Sequence, residues 1–93
     1  MEFEWEFAKE LENIQKHGVD FTEASECFFD PIGFRMFDQK HSKKEKRYYW
    51  VGKSKTDRIL TTRYTQRGAK IRIFGSAKWR KFRRLYYERT KTE

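Results

Sequence analysis

One cysteine, one proline and five glycines are all that the 93 residues contain of those three types. A lone thiol, Cys27, excludes an internal disulfide, and no Cys/His spacing matches a zinc site. Cys27 lies in an apolar helical stretch and reads as a buried structural thiol. No apolar run is long enough to span a bilayer. The opening Met1–Glu6 is acidic and alternating, unlike a secretory signal. The expected address is therefore the cytoplasm, with no membrane partner. Walker loops, metal-ligand spacings and serine-triad signatures are missing too. No cofactor and no metal is expected, and an enzyme built from this chain would work through Arg, Lys, Tyr, His or Glu. There is no internal repeat, proline-rich linker or low-complexity stretch, and the length suits one domain over residues 1–93.

Aromatic residues are plentiful: nine Phe, five Tyr and three Trp. Each buries a large area for one position, so a folded core is expected despite 39% charged residues. The net charge of +8 is unevenly placed. Residues 1–30 hold nine acids and two bases, whereas residues 31–93 hold twenty bases and five acids. Basic charge gathered in one part of a small domain is an electrostatic footprint for phosphates.

The pattern predicts an α+β domain in the order β-α-α-β-β-β-β-α. Phe3, Trp5 and Phe7 alternate with glutamates, as in a strand with one wet face. From Phe7 to Lys16 the period becomes helical, and Phe7, Leu11 and Ile14 are expected as the core-facing stripe. Gly18 suits a left-handed C-cap. A second helix is expected from Thr22 to Phe29, capped by Thr22 or Asp20, with Phe21, Ala24 and Phe28 inward. Asp30-Pro31 ends it. Strands are expected at 34–38, 47–51, 58–66 and 69–74, and their short connections favour an antiparallel sheet. A last helix runs from Lys78 to Arg89. Trp79, Phe82, Leu85 and Tyr86 form its apolar arc, and Arg80, Lys81, Arg83 and Arg84 the opposite one.

That cationic arc is free to meet phosphate or an acidic partner. The strands add Arg47, Arg63 and Arg72, and a turn adds Arg67. Guanidinium forks match phosphate oxygens, and Tyr64 offers a stacking surface beside them. Each of these arginines can instead pair with an N-terminal acid. His17 suits either proton transfer or capping of its helix, and Glu45 is a second candidate base. His41, in a lysine-rich loop, reads as incidental. The catalytic candidates are His17, Glu45, Arg47, Arg67 and Arg80. The candidates for nucleic-acid contact are Arg63, Tyr64, Arg72, Lys78, Lys81 and Arg84. A groove between the sheet and the last helix is the expected place for them to converge.

Several phrases stand together in order: Phe3-Glu4-Trp5, Lys16-His17-Gly18-Val19-Asp20-Phe21, Phe29-Asp30-Pro31, Glu45-Lys46-Arg47-Tyr48, Tyr64-Thr65-Gln66-Arg67-Gly68, Ile71-Arg72-Ile73-Phe74 and Tyr87-Glu88. In this spacing the chain resembles the BrnT family of toxins over nearly its whole length. The resemblance implies a RelE-like fold and a ribonuclease that suppresses translation. It also implies a BrnA-like antitoxin partner with a ribbon-helix-helix part, through which alone promoter DNA would be met. His17, Arg47, Arg67 and Arg72 stand where the family commonly has the same residue. After Ile73 many members read Ile-Ser-Ala-Arg, and here that arginine's position falls on Ala77, with Lys78 or Arg80 as replacements. A non-catalytic nucleic-acid-binding module is the alternative that composition also allows.

Overall fold

A computed structural model describes residues 1–91; the last two residues of the expected domain lie outside it. Strand β1 (Glu2–Glu4) leads into helix α1 (Phe7–His17), and helix α2 (Phe21–Glu26) tightens into a 3-10 turn at Cys27–Phe29. Four strands follow: β2 (Phe34–Phe37), β3 (Arg47–Lys53), β4 (Ile59–Arg67) and β5 (Lys70–Ala77). Helix α3 (Arg80–Lys91) closes the sequence of elements. The expected element order is met throughout.

Local chemistry explains the breaks. Gly18 takes φ 66°, and its N–H donates to the Ile14 carbonyl at 2.8 Å, closing α1 with the left-handed turn that lacks a Cβ penalty. Of the two cap candidates for α2, Asp20 does the work: its carboxylate accepts from the Glu23 N–H at 2.7 Å.

The sheet order is β1-β5-β4-β3-β2. Strands β2 to β5 form the expected antiparallel meander, but β1 pairs in parallel with β5, setting Phe3 opposite Ile71. The sheet is therefore mixed, not wholly antiparallel. Three residues carry too little pattern to declare a partner so distant in sequence.

One sheet face packs under α2. Phe21, Ala24 and Phe28 meet Tyr64, Ile71 and Ile73, with Trp50, Tyr48, Phe3 and Trp5 around them. Half of the other face lies under α3, where Tyr86, Phe82 and Leu85 meet Phe34, Val51, Ile59 and Met36. Cys27 is fully buried beside Val19 and Leu60, and burial pushes its thiol up to about 12, so it stays an inert thiol at neutral pH.

Helix α1 is the exception to the expected packing. Phe7, Leu11 and Ile14 face solvent, 70, 46 and 41% exposed, and the residue turned inward is Asn13. Its side-chain amide lies against the free edge of β5: Nδ2 donates to the Ser76 carbonyl at 2.8 Å, and Oδ1 accepts from the Ser76 N–H at 3.0 Å. A sheet edge needs hydrogen-bonding groups, and an apolar stripe there would have left those backbone groups bare. β1 covers the lower part of the same edge.

Candidate anion-binding site

Strand register puts Arg47, Tyr49, Arg63, Arg67, Lys70 and Arg72 on the sheet face that α3 covers only in part. The register slips between Arg63 and Tyr64, so that Phe74 becomes the extra residue of a bulge in β5. The Arg47 guanidinium lies 4.1 Å from the centroid of the Phe74 ring, and the Lys9 ammonium lies 5.4 Å from the same ring. These contacts draw a cation from β3 and one from α1 onto one aromatic platform.

On one side of Phe74 is a polar pocket of about 210 Å³, lined by Lys9, Glu12, Asn13, Lys16, His17 and Arg63 along with Phe74 itself. Arg63 forms its inner wall. A Cβ on Gly75 would sit 2.6 Å from Arg63 Nη2, so the guanidinium rests where only a glycine leaves space. Arg63 Nε is buried and has no hydrogen-bond partner, and no carboxylate pairs with this side chain among the described residues. A buried guanidinium N–H without a partner costs on the order of 1–3 kcal/mol.

Arg47, the cation stacked on Phe74, also lines a second pocket of about 420 Å³, with Lys40, His41, Lys43, Lys44 and Glu45. Glu45 accepts from Arg67 Nη2 at 3.1 Å and lies 3.7 Å from Arg47 Nη2. The hydrogen bond from Arg67 holds its carboxyl below the usual carboxylate range, so Glu45 is ionised at neutral pH and unsuited to donate a proton.

The expected site residues separate into three groups. His17 and Arg63 line the pocket that contains Phe74, and Arg47 and Glu45 line the second pocket. Arg67 and Arg72 stand on the same face but are matched by carboxylates: Arg67 by Glu45, and Arg72 by Glu4 at 2.6 Å and Glu6 at 3.3 Å. Arg80 and Arg84 lie on the outward face of α3, in a shallow depression with Arg83, Tyr87, Glu88 and Lys91. Lys78 and Lys81 are exposed near the start of that helix.

Two expectations are corrected. Tyr64 is 5% exposed and belongs to the core beneath α2, on the face opposite the arginines, where burial pushes its phenol up to about 12. The alternation of β4 dictates this, since Arg63 and Tyr64 are consecutive and point to opposite faces. The cationic pockets also lie toward α1 and the β2–β3 connection, not between the sheet and α3. That ground is occupied by aromatic packing, with Tyr49 against Phe82 at 5.4 Å and Trp79 at 6.0 Å.

Reading residues one at a time missed Lys9, Lys16, Phe74 and His41 as members of these pockets. Phe74-Gly75 was the available signal, because a glycine within a strand marks a bulge or a close approach. Among the described residues no group of three or more His, Cys, Asp or Glu is placed to hold a metal ion, and no helix is long and apolar enough to cross a membrane.

Lys9, Lys16, Arg47 and Arg63 with His17 around an aromatic platform, one guanidinium forming no salt bridge among the described residues, have the chemistry of a polyanion-binding domain. The family model described as "Ribonuclease toxin, BrnT, of type II toxin-antitoxin system" matches residues 5–82, and the chain belongs to this family of ribonuclease toxins. Its structure is similar to the 1.1 Å crystal structure of the Brucella abortus ribonuclease toxin BrnT, with a TM-score of 0.66. The match covers 85% of this chain and 96% of that one at 18% identity, a likeness of fold. No curated protein matches the chain significantly. Membership in a type II toxin–antitoxin family implies an antitoxin partner.

Proposed function

We propose that this toxin is a metal-independent endoribonuclease that suppresses translation in the cytoplasm, with RNA laid across Phe74 from one cationic pocket to the other. The RelE-like kinship that the family resemblance implies belongs to the same proposal. The observation that carries it is Arg63, whose buried Nε lacks a partner in a pocket shared with Lys16 and His17. Arg63 and Arg47 take successive phosphates, and fixed guanidinium groups stabilise charge as it builds on phosphorus. Lys9, Lys16 and the lysines of the β2–β3 connection supply attraction without sequence reading.

The arginine that the family carries after Ile-Ser-Ala finds its counterpart here in Lys78. The bulge absorbs one residue of β5, so Ser76-Ala77-Lys78 repeats the family phrase one position late. Lys78 then replaces Arg80 as the substitute for that charge.

Labelled RNA incubated with the purified chain in EDTA tests the reading. Cleavage is expected, with Arg63→Ala reducing it at least tenfold. Intact RNA that shifts in mobility would establish the non-catalytic binding module instead.

The cationic face of α3 supports a second assignment, to the antitoxin. Arg80, Arg83, Arg84 and Lys91 gather there away from both pockets. An acidic segment of a ribbon-helix-helix antitoxin of the BrnA type gains on-rate and specificity from such a surface, and promoter DNA is met only through that complex. Charge reversal at Arg83 and Arg84 is expected to weaken antitoxin binding, and unchanged binding would remove this face from the assignment.

A further inference from the structure

The connection from β2 to β3 is built more tightly than its lysines suggest. Asp38, 4% exposed, follows β2 directly, and its N–H donates to the Arg47 carbonyl at 2.9 Å. One oxygen of its carboxylate accepts from the His41 backbone N–H at 3.3 Å, and the other lies 2.8 Å from His41 Nδ1. Ser42 Oγ donates to the Asp38 carbonyl at 2.6 Å and accepts from the Arg47 N–H at 2.8 Å. The loop is thus stitched at its base, and the imidazole is oriented by a buried carboxylate. An ionised carboxylate can only accept, so Nδ1 carries the hydrogen and Nε2 of the neutral ring keeps its lone pair. The ring stands 43% exposed in the 420 Å³ pocket, with Arg47 and Glu45 beside it.

This is the arrangement of a base and the group that orients it. His17, the other histidine, has no hydrogen bond to its ring among the described residues. Glu45 is occupied by Arg67 and Arg47. The charged and titratable groups facing His41 are Asp38 beneath it, Lys40, Lys43, Lys44 and Glu45 along the loop, and Arg47 on β3; Tyr49 of β3 lies within electrostatic reach of Asp38.

We propose that His41 is the catalytic base of RNA cleavage and that Asp38 is its positioning residue, an inference that rests on the ribonuclease reading above. The 2′-hydroxyl proton passes to His41 Nε2 as the 2′-oxygen bonds to phosphorus. The bond from phosphorus to the 5′-oxygen breaks, and that oxygen leaves with the electron pair and takes a proton from water. The products are a 2′,3′-cyclic phosphate end and a 5′-hydroxyl end, and the imidazolium returns its proton to solvent. Arg47, lining the same pocket, meets the charge on the phosphate.

Cleavage of a labelled RNA oligonucleotide in EDTA by the full chain, its His41→Ala variant and its Asp38→Asn variant decides the matter, with circular dichroism melts confirming that each folds. His41→Ala is expected to lose about 10²–10⁴-fold in kcat, with KM changed only a few-fold, and added imidazole is expected to restore part of that loss. Asp38→Asn, which keeps the histidine, is expected to move the acid limb of the pH profile. His41→Ala cleavage within threefold of the unmodified chain overturns the assignment. So does a loss confined to KM, a loss that imidazole leaves untouched, or an Asp38→Asn profile that does not move. If the unmodified chain itself leaves RNA intact, the ribonuclease reading fails instead.

Discussion

Asn13 of α1 acts as a sixth strand for Ser76 of β5, giving and accepting one hydrogen bond each across 63 positions of sequence. A third bond, from its Nδ2 to the Val19 carbonyl at 2.9 Å, ties the turn after α1 to the same point. Asn13→Ala strips partners from three backbone groups in a buried setting. The expected cost is about 2–4 kcal/mol, a fall in Tm of roughly 10–25 °C for a domain this small. Thermal denaturation checks it; a loss of only one or two degrees would mean that water serves those groups equally well.

Gly75 and Arg63 give a prediction that separates folding from binding. The atom that a Gly75→Ala methyl would meet first is the far end of the Arg63 side chain, which can swing away. The variant is expected to melt within a few degrees of the unmodified chain while binding RNA about tenfold more weakly, in line with the loss of one charged contact. Fluorescence anisotropy with labelled RNA at fixed salt measures this, and unchanged affinity would mean that Arg63 does not touch the ligand.

Two apolar side chains with similar helical patterning should behave in opposite ways. Leu11 is exposed on α1, whereas Phe21 is fully buried under the sheet. Leu11→Lys is expected to change stability by less than about 0.5 kcal/mol. Phe21→Ala is expected to cost about 3–5 kcal/mol. Urea titrations of the two variants make the comparison, and a substantial loss from Leu11→Lys would contradict the placement of α1.

Glu23 carries a pH dependence of stability. Its carboxylate accepts from Arg58 Nε at 2.9 Å, Ser54 Oγ at 2.8 Å and Thr56 Oγ1 at 2.7 Å. The Arg58 bond is the main cause, partly opposed by burial, that brings its pKa from 4.5 to about 2. A depressed folded-state value contributes stability that is complete above the unfolded pKa and vanishes as pH falls through the folded one. The urea midpoint should therefore fall between about pH 5 and pH 2, and Glu23→Gln should flatten that part of the curve. Parallel curves for the two proteins would refute the assignment.

Glu45 restrains two cations on the proposed RNA face. The pair with Arg67 is exposed and contributes little to stability, so Glu45→Gln should leave Tm nearly unchanged. It should, however, release Arg67 for phosphate. RNA affinity is expected to rise at low salt, and the dependence of log K on log salt to steepen by about 0.7 for each new contact. An unchanged slope would show that Arg67 does not meet the backbone of the nucleic acid.

Much of the fold was legible from residues alone, because β3 to β5 combine β-favouring residues with short turns, and the 3.6-residue period of α2 and α3 reflects one buried face each. The same logic failed at α1. Phe7, Leu11 and Ile14 have the spacing of a core stripe, but α1 meets a strand edge, and an edge needs the amide of Asn13 more than it needs leucine. The parallel seat of β1 was hidden because nothing within three residues names a partner near position 71. At the site, the arginines of β3, β4 and β5 were visible as unusual choices for strands. Which of them keep a free charge depended on where Glu4, Glu6 and Glu45 came to rest. His41 was obscured by surrounding lysines, although Asp38-x-x-His41 has the spacing of a capped turn.

The seat of β1 has a consequence in time. Glu2 meets Lys70, with 68 positions between partners, and pairings of such long sequence separation form late and slowly. During synthesis, β1 has no neighbour until β5 has left the ribosome. The charge matching of Arg72 by Glu4 and Glu6 waits for the same moment. The toxin's sheet can therefore be completed only once β5 is available to receive β1.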